Sequence, residues 1–228
     1  LPLFQRIFAV PIEAVIFDMD GVLVDSEVYW QKARVEFARD LGKQWDTHAK
    51  ERVMGRNTIE WAEAMREYLN IDMPREEVIE DVIRRVMALY DAHLPTRPGA
   101  IEAVHMAAKH FRVALASASP TRVIDYVMRL TGLDKVFEVM VYGDDLARGK
   151  PAPDIYLEAA RQLGVEPRHC VGVEDSANGI RALKAAGMYV IAAPSPEFPL
   201  SLEVVQLADQ LVASLEDITL DMLRSFDR

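Results

Sequence analysis

The chain has 228 residues, half of them hydrophobic, and a formal net charge of −10. That is enough apolar material for one large domain or two unequal ones. The acidic balance, with no block of Lys or Arg, argues against nucleic acid or an anionic membrane surface as partner.

The opening "LPLFQRIFAVP" is too short, and too interrupted by Gln5 and Arg6, for a signal sequence or a membrane span. "EAVIF" (13–17) is the first of six short apolar runs and ends at Asp18. The others are "FRVALAS" (111–117), "FEVMVYG" (137–143), "HCVGVED" (169–175), "MYVIAAP" (188–194) and "DQLVAS" (209–214). Runs that do not alternate with polar residues suit strands buried on both faces of a parallel sheet. Between them "PTRVIDYVMRLTG", "APDIYLEAARQLG" and "SANGIRALKAAG" read as helices, several of which begin with Ser or Pro and end in Gly. The expected fold class is therefore α/β, a doubly wound parallel sheet of the Rossmann-like kind. Cys170 is the single cysteine, which excludes an internal disulfide framework and fits a reducing, cytoplasmic setting.

The alternation breaks between residues 27 and 95. "TIEWAEAMREYL" is helix-like, and "VIEDVIRRVMALY" (78–90) sets Val78, Ile79, Val82, Ile83, Val86, Leu89 and Tyr90 on one helical face. "LPTRPG" (94–99) carries the prolines and glycine of a boundary. The expected organisation is a first core segment at 1–26, an all-helical insertion at 27–95 and a second core segment at 96–228.

In doubly wound sheets ligands bind beyond the carboxyl ends of the strands. Those ends carry Asp18 and Asp20, Ser117 and Ser119, then Lys150 in "GDDLARGKPAPD", then Glu174 and Asp175. Singly, each has a bland reading as a turn former, a helix cap or a solvated loop charge. Together, four carboxylates, an ammonium and hydroxyls call for a cation and an anionic ligand. Carboxylate oxygens without His or Cys select a hard cation, and Mg²⁺ suits a bridge to phosphate. Lysine, serine and backbone N–H groups of the glycine-containing loop would hold the remaining phosphoryl oxygens. The five histidines show no metal-ligand spacing.

"DMDGVLVDSE", "ASAS", "GKPAPDIY" and "GVEDSANGIRALKAAGM" resemble, in order, the four motifs of the haloacid dehalogenase superfamily. The likeness is greatest to its β-phosphoglucomutase and sugar-phosphate phosphatase branch, in which a small helical cap follows the first strand. The resemblance implies that Asp18 is a nucleophile forming an aspartyl phosphate and that Asp20 is the general acid. It implies Mg²⁺ held by Asp18, the Asp20 carbonyl and Asp175, with Glu174 beside them, and a phosphate bound by Ser117 and Lys150. Met19, Gly21, Ala118 and Ser119 join the phosphate site through the same two motifs. Gly55, Arg56 and Asn178 are the remaining substrate-binding candidates. For Arg56 a surface salt bridge is an equal reading, for Asn178 a helix cap, and for Asp25 a structural loop role.

Dehalogenases lack the second acid of the first motif, which here is Asp20; a halide leaves without a proton, an alkoxide does not. The mutases carry a cap histidine ten residues after that acid, where this chain has Trp30. They also carry a Gly-x-x-Arg arginine, where "MGRNT" puts Thr58. The expected activity is therefore a Mg²⁺-dependent phosphatase of small phosphorylated metabolites, sugar phosphates foremost, with a phosphomutase as runner-up. A non-catalytic phosphoacceptor of the receiver kind is a remote third, since it would need only about half this length and no insertion.

Overall fold

The computed structural model describes residues 11–53 and 57–226. Most of the opening segment, together with Gly55 and Arg56, lies outside the described residues. The chain begins with β1 (Ala14–Phe17), then runs through α1 (Glu27–Asp40), α2 (Thr47–Val53), α3 (Thr58–Leu69) and α4 (Arg75–Ala92). Next come α5 (Ala100–Ala108), β2 (Arg112–Ser117), α6 (Thr121–Thr131), β3 (Val139–Tyr142) and α7 (Asp154–Leu163). β4 (Cys170–Glu174), α8 (Ala177–Ala185), β5 (Tyr189–Ala192), α9 (Leu202–Val205), β6 (Gln210–Leu211) and α10 (Leu220–Arg224) complete it.

All six strands are parallel, in the order β3-β2-β1-β4-β5-β6. The order reverses at β1, so the crevice for a ligand opens beyond the carboxyl ends of β1, β2 and β4. Successive strand residues serve opposite faces of the sheet. Val15, Phe17, Leu115 and Val173 enter one apolar cluster with Val123 and Val127 of α6. Ala14, Ile16, Ala116 and Cys170 enter another with Ala159 of α7 and Leu183 of α8. Helices thus cover both faces, which is why these runs need no polar alternation.

The last run is shorter than expected. β6 keeps only Gln210 and Leu211, both exposed at the sheet edge. Asp209, read as its first residue, instead accepts bonds from Val190 N at 2.8 Å and Lys184 Nζ at 3.1 Å. Cys170 opens β4, and burial pushes its thiol up to about 12. It is packing.

Between β1 and α5 the described residues form helices and no named strand. In α4, Val78, Val82, Ile83, Val86 and Tyr90 are buried, while Ile79 and Leu89 sit half-buried at the margin of that face. These side chains, with Trp30, Phe37, Trp61 and Met65, extend the first apolar cluster away from the sheet. The chain leaves and returns through adjacent backbone: Asp25 N donates to Pro95 O at 2.8 Å, and Arg97 N to Leu23 O at 2.9 Å. Among the described residues no helix is long and apolar enough to cross a membrane.

Candidate active site

β1 ends at Phe17, in register with Leu115 of β2 and Val173 of β4. The next residue, Asp18, therefore emerges beside the ends of both neighbours, and it is buried. The chain then turns tightly: the Met19 carbonyl accepts from the amides of Val22, Leu23 and Val24, and Gly21 N donates to Val24 O at 2.7 Å. Gly21 has φ +74°, and a Cβ there would lie 1.9 Å from Asp175 Oδ2. Glycine is required both for the left-handed backbone and to let Asp175 approach. The Arg97 guanidinium clamps this turn by donating to Gly21 O and Ala193 O. The Met19 side chain is buried in the core, so any contact it makes with phosphate is a backbone one.

Lys150 reaches the same point from the loop after β3. Its Nζ donates to Asp18 Oδ1 and to Glu174 Oε1, both at 2.7 Å. Glu174 is wholly buried and accepts four hydrogen bonds. Oε1 also accepts from Tyr156 OH at 2.9 Å, and Oε2 accepts from Ser176 N at 2.8 Å and Ser176 Oγ at 3.0 Å. A Cβ at Gly179 would lie 1.5 Å from Glu174 Oε1, so α8 packs directly on this carboxylate. Tyr156 does double service, since its ring also lies 4.9 Å from the Lys150 ammonium.

The hydroxyls converge on Asp20 rather than Asp18. Ser26 Oγ donates to Oδ1 at 2.6 Å, and Ser119 Oγ to Oδ2 at 2.7 Å, with Ser117 Oγ farther off at 3.4 Å. Ser117 also accepts from Ser119 N at 3.1 Å. Asp20 is thereby held beside Asp18. Ala118 and Asn178 line the same cavity, Asn178 exposed near the start of α8. The cap of α8 is Ser176, which accepts from Gly179 N at 3.1 Å, so Asn178 is not its cap.

The electrostatics of this cluster are unbalanced. Burial, more than Lys150 can offset, pushes Asp18 up to about 7, with Glu174 and Asp20 adding to the rise. Burial likewise holds Asp175 well above the usual carboxylate range, reinforced by Glu174 and Asp18. For Glu174 the burial penalty is outweighed by Lys150, Ser176 and Tyr156, and its carboxyl lies below its usual value. For Lys150, too, burial is overcome, here by Asp18 and Glu174, which hold the ammonium well above its usual range. One ammonium among these acids leaves negative charge uncompensated. Asp18, Glu174 and Asp175 each offer a carboxylate oxygen, all within 4.8 Å of one another. An all-oxygen donor set of this kind fits a divalent cation.

The cavity over these groups has a volume of about 630 Å³. Asp25 is in its wall, as are Trp30, Arg34 and Trp61 from the helical segment. Trp30 and Trp61 are buried, and they also face the cavity. Their rings meet edge to face at 6.0 Å, with the Arg34 guanidinium 5.4 Å from one and 5.9 Å from the other. Burial pulls the Arg34 guanidinium below its usual value, while Glu27 and Asp20 pull it back up. Trp45 has no such place and packs on Tyr68 at 5.7 Å. Thr58, at the start of α3, donates to Asp144 Oδ2 at 3.3 Å and so ties the helical segment to the loop after β3.

Reading the sequence missed Tyr156, Ser26, Arg97 and Arg34. Tyr156 lay inside the quoted "GKPAPDIY", where it passed for a helix residue, and Arg97 lay inside "LPTRPG", where it passed for a linker. Ser26 and Arg34 carried no signal beyond their nearness to Asp20 and Trp30.

A family model described as a hydrolase, haloacid dehalogenase-like hydrolase, matches residues 12–187. The chain belongs to this family. Among curated relatives, Hexitol phosphatase B of Escherichia coli strain K12 is 36% identical over 217 residues, covering 90% of this chain and 94% of the relative. The Phosphorylated carbohydrates phosphatase of Thermotoga maritima is 37% identical over 177 residues, covering 77% and 82%. Among solved structures, CbbY from Rhodobacter sphaeroides in complex with phosphate superposes with a TM-score of 0.80 at 29% identity, covering 90% of this chain and 96% of that one.

Proposed function

We propose that this haloacid dehalogenase-like hydrolase is a Mg²⁺-dependent, cytoplasmic phosphatase of small phosphorylated metabolites, with sugar phosphates as its main substrates. The observation that carries this reading is the Lys150 ammonium bridging Asp18 and Glu174 beside Asp175, with hydroxyl-held Asp20 at the other side of Asp18. Phosphatases among its relatives support the substrate class.

Asp18, Asp175 and the Asp20 carbonyl would hold the cation. When bound, it neutralises the acidic cluster and the charge of an incoming phosphate. Glu174, whose four bonds are already made, positions Lys150 and borders that site. Lys150 spends two of its three N–H bonds on Asp18 and Glu174 and keeps the third for a phosphoryl oxygen. Backbone amides of the Met19–Gly21 turn, with Ser117, Ala118 and Ser119, complete the phosphate cradle.

The Asp18 carboxylate attacks phosphorus, forming an aspartyl phosphate as the ester P–O bond breaks. Asp20 gives its proton to the departing alkoxide. The alcohol leaves, and Asp20 takes a proton from a water whose oxygen attacks the same phosphorus. Inorganic phosphate departs and Asp18 is restored. Ser26 and Ser119 hold Asp20 in line through both transfers, since a hydroxyl can donate to the carboxylate or accept from the acid. The helices of residues 27–95 act as a cap that excludes bulk solvent, hinged where Asp25 pairs with Pro95.

A panel of phosphorylated metabolites incubated with enzyme and Mg²⁺ tests the reading. It expects inorganic phosphate from sugar monophosphates and only trace phosphate under chelation. Isomerised sugar phosphate outpacing phosphate release, especially when a trace of the bisphosphate is added, would convert the reading to a mutase.

A further inference from the structure

Arg34 is a cation in the cavity wall with two of its three nitrogens lacking hydrogen-bond partners among the described residues. It is 6% exposed, yet Nε and Nη1 find no partner among the described residues. Of the other cationic side chains described in the wall, Lys150 is committed to Asp18 and Glu174, and Arg148 to Asp154 at 2.8 Å. Buried guanidinium N–H groups without acceptors are costly unless something compensates them. Here the faces of Trp30 and Trp61 compensate the charge, and Glu27 and Asp20 act on it from nearby. Neither ring supplies a hydrogen-bond acceptor in return, so what is missing is oxygen atoms, not negative charge.

The surroundings also say which oxygens. Among the described residues lining the cavity, seven are carboxylates and three are cations, and even a bound divalent cation leaves an acidic excess. A second phosphate or a carboxylate at the far end of a substrate would enter that repulsive field. Neutral hydroxyls would not. We infer that Arg34 is a specificity residue that hydrogen-bonds the hydroxyl oxygens of a polyol or sugar monophosphate whose phosphate lies on Lys150. This deepens, and rests on, the phosphatase reading. In the bound state the guanidinium turns within the Trp30–Trp61 slot to present its open N–H groups, while the rings keep its carbon in place. Because it touches the substrate's hydroxyls and not the reacting phosphorus, its contribution falls on substrate binding.

The test compares sorbitol 6-phosphate, which is hydroxyl-rich, with p-nitrophenyl phosphate, which has no hydroxyl to read. The ratio of their kcat/KM values is measured for wild type, Arg34→Met and Arg34→Lys. Arg34→Met should lower the ratio about 10- to 100-fold, chiefly through KM for sorbitol 6-phosphate. Arg34→Lys, which keeps the charge but loses Nε and the planar fork, should recover only part of it. Inhibition by inorganic phosphate, which reports folding and the phosphate site alone, should stay within about twofold in both variants. An unchanged ratio in active variants overturns this inference and leaves the phosphatase reading standing. So does a wild-type preference for sugar bisphosphates that Arg34→Met removes, which would put a second anion at Arg34. No phosphate from either substrate with wild type defeats the phosphatase reading, and this inference with it.

Discussion

Tyr156→Phe isolates one bond in the buried cluster. The substitution deletes the hydroxyl that donates to Glu174 Oε1 at 2.9 Å and keeps the ring beside the Lys150 ammonium. Both residues are wholly buried, so water cannot replace the lost donor. Burial first, and then the Glu174 charge, push the Tyr156 hydroxyl well above its usual range, so it is a donor throughout the working pH range. A buried hydrogen bond to a charged group contributes about 1.5–3 kcal/mol. In a chain of this size, each kcal/mol moves the unfolding midpoint by about 2–4 °C, so the variant should melt about 3–12 °C lower. Tyr142→Phe is the control. Its hydroxyl donates to Asp125 at 2.8 Å in a half-exposed position, where solvent screening holds the loss to at most about 1 kcal/mol. Urea or thermal unfolding of the two variants side by side gives the comparison. Equal losses, or a Tyr156→Phe loss below about 0.5 kcal/mol, would refute the claim that Glu174 depends on its full set of donors.

Asp20→Asn should cost about 10²–10⁴ in rate with alkyl phosphates, but much less in the phosphorylation step of an aryl phosphate whose leaving group hardly needs a proton. Rapid mixing separates the steps, and equal losses for both substrates would sink the general-acid role. Gly21→Ala drives a Cβ into Asp175 at 1.9 Å and strains a φ of +74°, so titration with Mn²⁺ should show cation affinity lost or severely weakened. The pH dependence follows from Asp18, raised from 3.8 to about 7. In that interval the cation-free folded state binds more protons at Asp18 than the unfolded state, so this contribution to stability falls as pH rises. Because Mg²⁺ competes with that proton, the rise in melting temperature it causes should be larger at about pH 8 than at about pH 6. A constant or reversed increment would show that protons and cation do not share the site.

Much of the fold was legible because its signals are local. Each of the six apolar runs contains a strand, and glycines such as Gly132 and Gly164 stop helices where the pattern said they would. The edge was less legible. "DQLVAS" looks like its neighbours, but only two of its residues pair, because a strand's extent at a sheet margin is set by the partner and not by its own composition. At the site, the strand-end acids and Lys150 could be named because a parallel sheet brings strand ends to one rim. Who holds them could not. Tyr156 sits on α7 and meets Glu174 only after β4 and α7 pack, and the hydroxyls of Ser26 and Ser119 meet on Asp20 only once β1 and β2 lie side by side. Arg34 is the extreme case. Its spacing of four from Trp30 reads as an ordinary helix face, and nothing in that spacing reveals that Nε and Nη1 lack acceptors among the described residues.

The account turns on Asp18 as the covalent nucleophile, and Asp18→Asn tests it most directly. Phosphate release by the purified variant with Mg²⁺ is measured alongside its circular dichroism, and mass spectrometry of the peptide excludes deamidation back to Asp. Removing one charge from an acidic cluster should leave the fold intact, and turnover should fall below a few per cent of wild type. A folded, undeamidated variant that keeps substantial turnover would contradict nucleophilic catalysis by Asp18.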